Sequence, residues 1–111
     1  MITDDKRAFK RVKRKFTGKY KLHGSDESGG TFVSENISLG GVYFISLAKI
    51  EIGELLDCRI DMPGVKDEGR WTARVVRCET LQGTMVETFG IAAEFVKSFG
   101  NSTKNLERAL S

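Results

Sequence analysis

Two arginines four residues apart, Arg7 and Arg11, stand in a run that holds seven Lys or Arg between Lys6 and Lys15. A guanidinium is a planar fork. It can grip phosphate oxygens, or the O6 and N7 edge of guanine, through two parallel hydrogen bonds, and it can stack on a base. Lysine supplies charge without that geometry. Taken alone, the spacing is equally that of a solvated basic terminus. A second chemistry-bearing stretch is Asn36-Ile37-Ser38-Leu39-Gly40-Gly41. Asn36 offers an amide donor and acceptor and Ser38 a hydroxyl, while adjacent glycines allow a sharp turn and a close approach to a ligand. Taken alone, this passage is also a tight loop between strands, in which Asn and Ser bond to their own backbone.

Little else points to chemistry. His23 is the only histidine, and its place at the end of an alternating segment fits an exposed strand terminus better than a general base. No nucleophile motif or metal-ligand cluster is present, so the expectation is a binding protein and not an enzyme, with no metal and no cofactor. Cys58 and Cys78 lack the paired spacing of zinc sites and disulfide frameworks. They read as buried free thiols in a reducing, cytoplasmic setting. No apolar run is long enough to span a membrane, so no membrane insertion is expected.

Charge is unevenly placed. Residues 1–21 hold nine Lys or Arg against two Asp, a net of +7, whereas the remaining residues hold nine against thirteen, a net of −4. That is one arm prepared for an anion on a mildly acidic body.

The elements that must position these groups follow from the hydrophobic pattern. The length of 111 residues suits one domain. Residues 1–15 form a basic, flexible arm, and residues 16–111 form the folded body. Phe16, Tyr20 and Leu22 share a period of two, then a Gly- and Ser-rich loop covers 24–30. Strands follow at Thr31 to Glu35 and Gly41 to Ser46, separated by the polar passage 36–40. Leu56, Cys58, Ile60 and Met62 alternate with charged residues up to the turn Pro63-Gly64, and further strands run from Arg70 to Cys78 and from Phe89 to Phe95. Six short strands with no long helix between them predict an all-β, six-stranded antiparallel β-barrel. Leu106 and Leu110 lie on one face of a short C-terminal helix from Ser102 to Leu110, with Asn101 or Ser102 as its cap. Trp71 reads as a barrel or rim aromatic.

The order of the two stretches is more specific than either. Arg7-x-x-x-Arg11 followed by Asn36-x-Ser38-x-x-Gly41 resembles the PilZ family, bacterial receptors for the second messenger cyclic di-GMP. The resemblance continues through Gly40-Gly41-Val42-Tyr43-Phe44, Ala73-Arg74-Val75-Val76-Arg77 and Phe89-Gly90-Ile91-Ala92-Ala93-Glu94-Phe95. It implies a six-stranded barrel with a C-terminal helix. It also implies that Arg7 and Arg11 hold phosphates and guanines, that Asn36 and Ser38 meet the other side of the ligand, and that Gly41 shapes the turn. Asn36 stands where many members carry Asp, which removes a negative charge that could pair with the N1 and N2 hydrogens of guanine. Arg14, which extends the arm, and Arg77, which ends a strand beside the site, are further candidate contacts.

The expected mechanism is an arm that folds over cyclic di-GMP as a lid and exposes or creates a surface for an unidentified downstream protein. One rival is a small β-barrel that binds single-stranded nucleic acid. Against it, positive charge is confined to the arm and the strands show no interleaved exposed aromatic and basic rows. Another rival is a PilZ-like adaptor that binds no nucleotide.

Overall fold

Period-two alternation sends every second side chain of a strand inward, and Leu56, Cys58 and Ile60 do this with exposures of 0, 1 and 0%. In the computed structural model, which describes residues 15–25, 29–83 and 85–111, six antiparallel strands close into one barrel. They are β1 (Thr17–Leu22), β2 (Gly30–Ser38), β3 (Gly41–Ser46), β4 (Leu55–Ile60), β5 (Gly69–Leu81) and β6 (Thr88–Phe99), followed by the helix α1 (Ser102–Leu110). The order around the barrel is β1-β2-β3-β6-β5-β4. Closure gives every strand a neighbour on each side along part of its length.

Trp71, Phe44, Ile37, Leu56 and Ile91 fill the interior. Phe32 stacks on Phe44 with ring centroids 4.3 Å apart, and Trp71 stacks on Phe95 at 4.6 Å. Trp71 is a core residue, 2% exposed. Leu106 is fully buried in the same core, so α1 closes one end of the barrel. The expected side-chain cap does not form. Asn101 makes no cap hydrogen bond, and the Ser102 hydroxyl accepts from the Arg70 N–H at 2.8 Å and donates to the Phe99 carbonyl at 2.6 Å. Ser102 therefore bolts the helix to β5 and β6.

Strand limits differ from the expected ones where the hydrophobic signal lapses. β5 continues past its ladder with β4, which ends at Arg74, and stays paired with β6, where Glu79, Thr80 and Leu81 meet Gly90, Phe89 and Thr88. Mostly polar residues there gave alternation nothing to register. Cys78, at the start of this extension, is half-buried instead of buried. Cys58 is buried, and burial, with Asp57 adding to it, pushes its thiol up to about 12. Both cysteines are free.

The most consequential difference concerns Asn36 to Ser38. They are the last residues of β2 and not a loop; only Leu39 and Gly40 make the turn.

The start of β1 is tied to β2 at one residue. The fully buried Ser34 accepts from the Phe16 N–H through its hydroxyl at 2.9 Å, and its own N–H donates to the Phe16 carbonyl at 2.9 Å. Ser34→Ala leaves the Phe16 N–H without that acceptor and is expected to lower unfolding free energy by about 1–3 kcal/mol, measured by urea denaturation.

Candidate functional site

Two β-bulges build the candidate site. Strict alternation from the inward Ser34 would point Asn36 inward and Ile37 outward. The register shift between Ser34 and Asn36 inserts Glu35 as an extra residue, so Ile37 enters the core and Asn36 takes the outer face, followed on the same side by Ser38, which is itself buried at 6%. On β5 the shift between Val75 and Arg77 does the same: Val75 is buried at 1%, Val76 is the extra residue, and Arg77 turns outward. As a result Asn36, Tyr43, Ala92 and Arg77 are direct partners in one cross-strand row over β2, β3, β6 and β5. The adjacent row holds Ser38, Gly41, Glu94 and Arg74. Small residues at Gly41, Gly90 and Ala92 keep the floor between these polar groups low.

The glycines are set by close approach. A Cβ at Gly41 would overlap the Ala93 carbonyl oxygen, and one at Gly90 would overlap the Tyr43 hydroxyl. Gly41 does not have positive φ, so it permits β3 to lie tightly on β6 and does not supply the turn conformation expected of it. Ser38, at the end of β2, braces the turn. Its hydroxyl accepts from the Gly40 N–H at 3.1 Å, which is the local bonding expected of a hairpin turn.

Electrostatics on this face are balanced. Arg77 Nε lies 3.5 Å from Glu79, Arg74 Nη1 lies 3.3 Å from Glu94, and Lys15 Nζ lies 3.2 Å from Glu35. Burial and then Glu79 push the Tyr43 phenol above its ordinary value, with Arg77 pulling the other way. Tyr43 thus presents a neutral hydroxyl at neutral pH. Because its proton is held more tightly in the folded state, stability falls as pH rises from the phenol's ordinary value through its raised one.

Of the residues expected at the site, Asn36, Ser38, Gly41 and Arg77 are brought together on this face. Arg7, Arg11 and Arg14 lie outside the described residues. Lys15, the first described residue, is paired with Glu35, one position from Asn36, so the arm joins the barrel at the edge of the row. Tyr43 was not anticipated. Its place in the strand marked it only as β3, and nothing in the spacing shows that a bulge on β2 sets it opposite Asn36.

His23 lies just past β1, exposed, with Nδ1 2.8 Å from Asp57 Oδ1. Among the described residues no group of three or more His, Cys, Asp and Glu is placed to hold a metal ion, and no helix is long and apolar enough to cross a membrane.

Positive charge is not confined to the arm as expected: on the opposite wall the strands align a basic row that ends on one aromatic. Thr31, Lys19, Arg59, Arg70 and Phe99 are partners in a single cross-strand row. Alternation within each strand marks these residues as outward, but only the register aligns them.

A family model described as PilZ domain matches residues 5–110. No curated protein matches the sequence. Among solved structures, the chain is similar to the Bacillus subtilis inhibitor of motility MotI/DgrA, with a TM-score of 0.73 and 18% identity over 96% of this chain and 50% of that one. It is similar to the PilZ domain of YcgR from Escherichia coli, solved with c-di-GMP, with a TM-score of 0.71 and 15% identity over 94% of this chain and 88% of that one. It is also similar to K. pneumonia MrkH in its apo state, with a TM-score of 0.67 and 16% identity over 98% of this chain and 50% of that one. The chain thus spans about half the length of MotI and of MrkH. With nearly its whole length matched by the family model and its strands closed into the barrel of these structures, the chain belongs to the PilZ domain family.

Proposed function

We propose that the protein is a cyclic di-GMP receptor whose basic arm folds over the dinucleotide on the outer face of β2, β3, β6 and β5. The observation that carries this reading is the cross-strand row of Asn36, Tyr43, Ala92 and Arg77, produced by two bulges that cost regular pairing and bring polar groups to a low floor of Gly and Ala. The YcgR PilZ domain, which this chain overlaps over 88% of its length, holds c-di-GMP.

The charge balance assigns the work. Arg74 and Arg77 are already paired with carboxylates, so neither is a surplus cation for a ligand with two phosphates. The arm has several. From Lys15 an extended chain reaches about 14 Å at Arg11 and about 28 Å at Arg7, enough to cross the face. Arg7 and Arg11 grip phosphates and guanines, Arg14 and Arg77 flank them, and Asn36 and Ser38 bond the opposite side. Neither an acid–base pair nor a covalent step is involved. Closure of the arm replaces a basic surface by a neutralised one, which a downstream protein distinguishes.

Isothermal titration tests the barrel's share. Asn36→Ala combined with Ser38→Ala removes two neutral hydrogen bonds of about 0.5–1.5 kcal/mol each and is expected to weaken binding about tenfold. The melting temperature serves as a control for the Ser38 turn bond. Wild-type affinity in a folded double variant would place the ligand elsewhere.

A further inference from the structure

The wall opposite the proposed nucleotide face carries a charge arrangement that stability does not account for. Lys19 on β1 is the direct partner of Arg59 on β4, and Arg59 is the direct partner of Arg70 on β5. Like charges directly opposite one another weaken a sheet, and here three cations stand side by side. Lys21 is next on the outer face of β1. Phe99 ends the row, with the Arg70 guanidinium 5.8 Å and the Lys97 ammonium 5.1 Å from its ring centre. Only Arg59 has a carboxylate partner, Glu68 at 3.5 Å; Lys19, Lys21, Arg70 and Lys97 form no ion pair with another described residue. Lys19, Lys21, Arg59, Arg70 and Phe99 line a groove of about 610 Å³, in which Asp57 is the only acidic lining residue among the described residues and is engaged by His23.

We infer that this groove docks an acidic segment of a partner protein. At Lys19, Arg59 and Arg70 the strands are paired on both sides, so recognition there must come from side chains and not from backbone pairing, and Arg59 and Arg70 present two adjacent forks for carboxylates. The concentration of unpaired cations favours acidic side chains. Nucleic acid fits less well for two reasons. The Phe99 ring is already engaged by two cations instead of being open for base stacking. The folded body outside this groove is also acidic: from residue 22 onward the chain holds thirteen Asp or Glu against nine Lys or Arg, which repels a long polyanion and tolerates a short acidic segment. The groove does not overlap the nucleotide face, and the inference holds whether or not cyclic di-GMP binds there.

Fluorescence anisotropy with a short labelled peptide of alternating Glu and Ala, its Gln-for-Glu counterpart and a single-stranded oligonucleotide of matched charge tests the inference. Saturable binding of the Glu peptide is expected, at least tenfold weaker in R59E/R70E and absent for the Gln peptide. Arg59→Gln with Arg70→Gln, which avoids charge reversal next to Glu68, is expected to show the same direction if the reversed variant fails to fold. Because the basic arm could attract the peptide, R7A/R11A is the companion variant, expected to keep peptide affinity within twofold. Loss of peptide binding in R7A/R11A but not in R59E/R70E overturns the inference, as does equal binding of the Gln peptide or no saturable binding. Tighter binding of the oligonucleotide, lost in R59E/R70E, would assign the groove to nucleic acid.

Discussion

Replacing Arg7 and Arg11 together by alanine is expected to lower affinity for cyclic di-GMP at least about a hundredfold, by isothermal titration. Hydrogen bonds to charged groups contribute about 1.5–3 kcal/mol each, and two lost guanidiniums therefore remove about 3 kcal/mol or more, at 1.4 kcal/mol per tenfold. The described core starts at Phe16, so the melting temperature of the ligand-free protein is expected to stay within a degree or two of wild type. Arg11→Lys sharpens the test. It keeps the charge and loses the fork, so a large loss of affinity identifies bidentate contact, whereas near-wild-type binding identifies a general electrostatic patch. Raising salt should weaken the wild type but not restore the variants.

Trp71→Ala is expected to remove about 3–5 kcal/mol of unfolding free energy, measured by urea denaturation followed by circular dichroism. Trp71 is 2% exposed, stacks on Phe95 at 4.6 Å and is the register partner of Cys58. Truncation leaves a cavity in the middle of the barrel that the closed wall cannot collapse to fill. Against a total of about 5–15 kcal/mol for a domain of this kind, much of the population would unfold on mild heating. Trp71→Phe retains an aromatic partner for Phe95 and is expected to cost much less. A loss below about 1 kcal/mol for Trp71→Ala would mean that Trp71 is not the core residue it is placed as.

The fold was legible where alternation was regular. Leu56, Cys58 and Ile60 announced β4, and Phe89, Ile91 and Ala93 announced the core of β6; both lie as expected. The helix was legible from Leu106 and Leu110, but its anchoring through Ser102 was not, because the partner is the Arg70 N–H, 32 residues away. The candidate site was legible as residue types and hidden as geometry. Asn36 and Ser38 read as a loop because a β-bulge breaks the period-two signal at Glu35, and Arg77 read as a strand end because a second bulge breaks it at Val76. Those interruptions are what carry the residues to one face. The basic row of Lys19, Arg59 and Arg70 was hidden for a different reason: its members are up to about fifty positions apart, and register alone unites them.

The role of Gly41 changes in the same way. A glycine after a turn suggests a left-handed backbone, but its φ is ordinary, and what excludes a side chain is the Ala93 carbonyl of β6. The motif glycine thus belongs to the floor of the face and not to the turn.

The central claim is that cyclic di-GMP lies on the face of Asn36, Tyr43, Ala92 and Arg77, and a backbone amide shift map by NMR during titration with the dinucleotide tests it most directly. The largest shifts are expected at Asn36, Ser38, Gly41, Tyr43, Ala92 and Arg77, with Lys19, Arg59 and Arg70 unmoved. Shifts concentrated at Lys19, Arg59 and Arg70, or none at saturating dinucleotide, would contradict it.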